Sequence, residues 1–252
     1  LLKTSIFATG LSGIVAEYIL ATTASYFLGD SVFQWTIILS LMLFAMGLGS
    51  RFSKKIESNL IESYILLEFL LSFITSFSII LIYTLMPVIS SLDVVIYIMS
   101  IVVGFLIGME IPLVTRINGE YEALKTNISG MMENDYYGSL VGGLFFAFIG
   151  IKYLGLTYTP FVVGGINLAV ALFLFYSFRQ FIPKQNIRKL TILGGVISLL
   201  FVLGIVFSNP VVQHGNQSRF HEKVVFTQQT PYQLITITKW RENHQLYLSQ
   251  HY

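Results

Sequence analysis

The chain has 252 residues, 54% of them hydrophobic and 11% charged, with a formal net charge of +2. A soluble domain carries about 25% charged residues, so this composition indicates a membrane protein. There are no cysteines, which excludes a disulfide framework, a thiolate metal site and a cysteine nucleophile. The sequence contains no glycine-rich phosphate loop, HExxH or GxSxG motif, and nothing in it points to nucleic acid as a partner.

A helix needs roughly 20 apolar residues to cross the hydrocarbon core. Seven candidate spans follow in chain order, at 4–27, 32–50, 62–86, 93–116, 134–154, 158–181 and 190–207. The first resembles a signal peptide but is too long, carries Glu17 in its middle and is followed by further spans, so it reads as a retained helix. The seventh is the shortest and is interrupted by Gly194, Gly195 and Gly204. Lys3, Arg51, Lys54, Lys55, Arg116, Lys125, Arg179, Lys184, Arg188 and Lys189 fall at one side of this arrangement, and Lys152 alone at the other. The positive-inside rule then places the N-terminus in the cytoplasm of a multi-pass protein of the cell membrane. Seven crossings put the tail outside; six would leave it inside.

Acids within apolar spans are costly and face protein or water. In span one, Gly10, Gly13, Glu17, Ala21 and Ala24 recur at helical spacing, so Glu17 lies on the small-residue face and is expected to point into the bundle. Glu68 in span three reads as a packing acid. Span four carries "GFLIGMEIPLVTR", in which Gly104 and Gly108 form a packing face and Pro112 frees the Gly108 carbonyl. Glu110 sits beside that break and Arg116 at the end. In span five Asp135, Gly138 and Gly142 share a face, and Glu110 and Asp135 are both in the cytoplasmic half, where they can meet. Each acid has two readings, a helix-bonding group or a cation site. Between spans four and five, residues 117–133 read as a solvated loop, with an amphipathic surface helix as the alternative.

The tail changes character. Ser208–Glu222 is polar, with Asn-Pro and Gly-Asn turn signals, and reads as a linker. Val224–Gln228, Tyr232–Lys239 and Gln245–Ser249 alternate and read as strands. A hairpin alone is marginally stable, so such a tail is either mobile or held by a partner. His214, His221, His244 and His251 lack metal-ligand spacing. The domains expected are a helical membrane domain at 1–207, a linker at 208–222 and a β segment at 223–252. The fold class is an all-α polytopic membrane bundle of about seven helices with a short C-terminal antiparallel β segment.

Three stretches resemble one family. "DYYGSLVGGLFFAFIGIKYLGLTYTPFVVGGINLAVAL" (Asp135–Leu172) and "GMEIPLVTRI" (Gly108–Ile117) are similar to the fifth, sixth and fourth spans of membrane-bound spermidine synthases. "TPYQLITITKWRENHQLYL" (Thr230–Leu248) resembles the opening strands of their aminopropyltransferase domain. The resemblance implies a transferase that moves an aminopropyl group from decarboxylated S-adenosylmethionine to putrescine, and it implies that Gln233 contacts the donor or its product. It also implies a Rossmann-like catalytic domain, with an Asp-Glu pair, a Tyr-His-Glu motif and a catalytic acid, none of which lies within residues 1–252. The expectation is a membrane domain plus first strands, inactive alone. Its expected partners are the bilayer, the catalytic domain, polyamine and another copy of itself. The alternatives are a transporter of polyamine or another cation, since "GLGSRFSKKIE" is similar to a loop of major-facilitator transporters, and a structural anchor. Glu17, Glu110 and Asp135, with Arg116 and Glu68 near them, are the intramembrane candidates for binding polyamine.

Overall fold

The computed structural model describes residues 1–89, 91–119, 123–230, 233–240 and 243–248, with the Trp240 side chain left aside. Seven α-helices precede a small sheet: α1 (Leu2–Leu28), α2 (Ser31–Ser53), α3 (Leu60–Leu85), α4 (Leu92–Asn118), α5 (Leu124–Phe145), α6 (Gly155–Phe178) and α7 (Lys184–Ser218). A π-helical stretch, Phe146–Leu154, joins α5 to α6. Six helical runs are long and apolar enough to cross a membrane, with residues 124–181 counted as one continuous run.

That long run folds back on itself. Gly138 and Gly142 meet Phe7 and Leu11 of α1, and Phe146 packs on Tyr18, so α5 and the π-helix climb parallel to α1. Beyond Gly155 the order reverses, because Asn167 of α6 lies back against Ser12. Gly155 has φ 62, a left-handed conformation that a residue without Cβ adopts at little cost. α5 and α6 are therefore antiparallel to each other, although together they make one of the six apolar runs, against the seven expected.

Glycines set the helix spacing. A Cβ on Gly49 would collide with the Phe105 carbonyl, one on Gly104 would lie 2.7 Å from Met42 O, and one on Gly108 would collide with Met46. α2 and α4 thus touch backbone to backbone through the Gly104–Gly108 face expected from the sequence. Pro112 stays inside a continuous α4.

Two boundaries differ from the sequence reading. The expected solvated loop at 117–133 is helix from Leu124 onward. Asn127 explains the early start: it is fully buried, donates to the Thr115 carbonyl at 2.7 Å and accepts from Asn118 at 3.0 Å, tying the first turn of α5 to the end of α4. The expected linker at 208–222 is helix as far as Ser218. Pro210 removes one backbone donor but leaves α7 intact, and Ser208, Val212, Gly215 and Asn216 are buried along it. Tertiary burial outweighs the turn signals there.

The sheet has three antiparallel strands, β1 (Lys223–Gln229), β2 (Leu234–Trp240) and β3 (Asn243–Leu248), in the order β1-β2-β3. A bulge interrupts the pairing between Val224 and Phe226. Leu234, Thr236 and Thr238 form its buried face, the period-two pattern expected of a half-covered strand.

The core of the bundle is divided. One apolar cluster surrounds Tyr26, Phe27, Ile79 and Tyr83, and the other surrounds Ile6, Tyr64, Phe69 and Leu113. Between them lies a polar waist, with Thr9 and Ser12 on α1, Ser72, Thr75 and Ser76 on α3, and Asn167 on α6, all buried.

Candidate functional site

The buried acids sit at the waist and just below it. Glu68 is 0% exposed and Glu110 2%. The α3 stripe positions Glu68, because Tyr64, Glu68, Ser72 and Ser76 recur every fourth residue on the buried face. Glu110 projects from α4, one turn before the Pro112–Leu113 step, with Thr9 of α1 against it. Glu110 lies within electrostatic reach of both Glu68 and Asp135. Asp135 is half-buried and packs directly on Gly10, where a Cβ would stand 2.7 Å from its Oδ1. The small-residue faces of α1 and α5 therefore meet each other.

Glu68 has an unusual environment. The neighbouring Tyr64 hydroxyl donates to Ser5 Oγ at 3.1 Å, and both Glu68 carboxylate oxygens are buried without a hydrogen-bond partner. The Ser72 and Ser76 hydroxyls above it are buried and unpartnered too.

Two candidates lie apart. Glu17 is half-buried, two turns farther along α1 than the Thr9–Gly10 step that meets the other acids. Arg116 is exposed and does not serve as a counter-ion for the acids. Its guanidinium donates to the carbonyls of Ser53 at 3.0 Å and Ile56 at 2.5 Å, capping the C-terminal end of α2. The sequence reading treated Glu68 as ordinary packing, yet it is the most enclosed acid of the group. Its spacing with Ser72 and Ser76 was the available signal.

The second region is the junction of sheet and bundle. The Gln229 amide oxygen accepts from the Leu156 backbone N–H at 2.6 Å, over the Gly155 turn. The Tyr26 hydroxyl, at the end of α1, donates to the Thr230 carbonyl. The Gln217 side chain of α7 accepts from Val224 N–H at 3.0 Å and donates to the Glu222 carbonyl at 2.9 Å. The Arg219 guanidinium stacks 4.7 Å from the Phe27 ring centroid. Burial pushes Arg219 down to about 10, opposed by Tyr83. The sheet expected to be mobile or held by a partner is held by its own bundle.

Gln233 is half-buried and bonds back to Thr230. Its N–H donates to Thr230 Oγ1 at 3.1 Å, and its carbonyl accepts from that hydroxyl at 2.8 Å and from the Thr230 N–H at 3.0 Å. Its neighbour Tyr232 lies outside the described residues. Beside the junction a cleft of about 910 Å³ opens between the π-helix, the end of α7 and β1, and Lys152, Gln213, His214 and Gln228 line it. No group of three or more histidine, aspartate or glutamate side chains among the described residues could hold a metal ion.

No family model and no solved structure matches the chain. Curated proteins do match it. It is 39% identical over 251 residues to polyamine aminopropyltransferase 2 of Aquifex aeolicus, covering 99% of this chain and 50% of that protein. It is 32% identical to the polyamine aminopropyltransferase of Oceanobacillus iheyensis, over 94% of this chain and 47% of that one. For the protein of the same name from Leptospira interrogans the identity is 30%, over 95% and 48%. The chain spans about half the length of these relatives. Along nearly all of its length the chain is thus similar in sequence to proteins named polyamine aminopropyltransferase, over about half of each.

Proposed function

We propose that residues 1–252 form the membrane-embedded part of an aminopropyltransferase, together with the first strands of its enzymatic domain. The match over 99% of the chain to a protein named polyamine aminopropyltransferase carries this reading. The six apolar helical runs support the membrane location. In the whole protein the donor would be decarboxylated S-adenosylmethionine and the acceptor putrescine, with Gln233 at the donor. Residues 1–252 contain neither the nucleotide-binding core nor the proton acceptor that the resemblance calls for. A polypeptide of these residues is therefore expected to form no spermidine from the two substrates. Spermidine detected by mass spectrometry above a heat-killed control would refute this division of labour.

The proposed orientation follows from charge and docking together. The sheet docks at the end that holds Tyr26 and Leu156. Arg116 and Ser53, and Glu62 with Asn186, mark the other end, where the basic residues gather. The positive-inside rule makes that basic end cytoplasmic and puts the sheet outside. A reporter fused after Tyr252 that is active only outside the cytoplasm is expected to be active. A reporter active only inside would reverse the orientation.

A second reading is favoured by the placement of Glu110 within reach of both Glu68 and Asp135. In it the bundle recognises a cationic substrate, polyamine included, and the sheet senses it.

A further inference from the structure

We propose that the bundle holds a monovalent metal cation of the sodium class at Glu68, beside Glu110 and below the Ser72 hydroxyl. The proposal does not depend on the aminopropyltransferase reading.

Three observations carry it. First, Glu68 is 0% exposed, neither carboxylate oxygen makes a hydrogen bond of ordinary geometry, and the nearby Tyr64 hydroxyl is directed to Ser5 at 3.1 Å. A buried charge without a partner costs several kcal/mol, so the site calls for positive charge. Glu110, itself 2% exposed, adds a second carboxyl within electrostatic reach. Arg116, the base nearest in sequence, is committed to the Ser53 and Ile56 carbonyls.

Second, the Ser72 and Ser76 hydroxyls are 0% exposed and unpartnered. Ser72 is one turn beyond Glu68 on the same face, and a helical Cα–Cβ bond tilts toward the N-terminus, so its hydroxyl leans back toward the carboxylate. An independent oxygen with free lone pairs, that of Ser72, thus leans toward the acid, while Ser76 lies one turn farther on. Native proteins seldom leave such groups unsatisfied. Carboxylate and hydroxyl oxygens are hard ligands, suited to alkali and alkaline-earth ions.

Third, size and charge narrow the class. Gly164 of α6 approaches so closely that a Cβ there would overlap Ser76 Oγ and lie 2.7 Å from the Ser72 carbonyl. A methylene chain such as that of a polyamine finds little room beside these hydroxyls. No group of three acidic or imidazole ligands is assembled among the described residues, which disfavours a divalent ion.

The test uses the polypeptide 1–252 in lipid nanodiscs, with unfolding followed by tryptophan fluorescence. Sodium chloride is titrated against choline chloride at constant ionic strength. A saturable rise in melting temperature is expected with sodium only, about 5–10 °C at a hundredfold excess over Kd. Glu68→Gln is expected to abolish the rise, and Glu57→Gln, on an exposed loop, to keep it. Should Glu68→Gln fail to fold, the Ser72→Ala variant serves instead and is expected to weaken sodium at least about tenfold. A rise equal in choline, or one retained in Glu68→Gln, would overturn the proposal. So would a melting temperature that follows pH but not sodium, which would mean that protons alone satisfy the carboxyls. A rise with putrescine and none with sodium would overturn it in favour of an organic ammonium.

Discussion

Gly108→Leu and Gly138→Leu are each expected to abolish recovery of folded, monodisperse protein, or to lower the melting temperature by ten degrees or more. A Cβ at Gly108 would lie 2.5 Å from Met46 Cα, and one at Gly138 would lie 3.0 Å from Leu11 N. Both obstacles are backbone, so no rotamer change relieves them and the helices must separate. Overpacking of a close interface costs typically 1–3 kcal/mol and more where backbone must move. Leucine adds a whole side chain and also lifts neighbouring contacts along two helices. The control is internal. Gly47 and Gly195 have nothing within 4 Å of an added Cβ, so leucine there is expected to change the melting temperature by no more than a degree or two. Size-exclusion chromatography and thermal unfolding in one detergent decide the matter. Equal behaviour of the two pairs would mean that close glycine packing does not hold this bundle together.

The second large effect concerns the sheet. Combining Tyr26→Phe with Gln229→Ala is expected to release β1 and β2 from the bundle while leaving the helices folded. Tyr26→Phe removes the donor to the Thr230 carbonyl. Gln229→Ala leaves the Leu156 N–H without its acceptor, at a residue that is 0% exposed. Each loss is worth about 1–2 kcal/mol, so together they shift docking by roughly 30- to 1000-fold, at 1.4 kcal/mol per factor of ten. Hydrogen exchange of the β1–β2 amides should speed up by a similar factor, with α1 and α3 unchanged. Unaltered exchange would show that the Gln217 and Arg219 contacts suffice to hold the sheet.

Much of this arrangement is legible in the sequence, and the rest is missing for physical reasons. Apolar length locates the helices, and period-two alternation locates the strands. The spacing of Gly104 and Gly108 marks a packing face. Periodicity reports which side of a helix is special but not which neighbour receives it. The faces of Gly10 and of Asp135 were each visible, whereas their mutual contact depends on how α5 runs relative to α1. Glu17, expected to point into the bundle, is half-buried. α1 is enclosed on most sides, so a stripe of small residues does not single out a direction. The environment of Glu68 is hard to foresee because the carboxyl nearest to it comes from α4, forty-two positions away in number. Asn-Pro at 209–210 signals a turn in isolation, and only burial on α3 and β1 keeps α7 helical beyond it.

The enclosure of α1 bears on how the protein is assembled during synthesis. Of the six long helical runs α1 is the least hydrophobic and the most buried, so lipid alone is a poor environment for its Ser, Thr and Glu side chains. Its permanent neighbours come late. Ser12 bonds to Asn167 across 155 positions, which at ribosomal rates of about 5–20 residues per second is a wait of roughly 8–30 s. Until then α1 must be sheltered by α2 or by another protein. α1 is thus made well before the α6 residues that complete its surroundings, and mutations in α6 should be felt as faulty retention of α1.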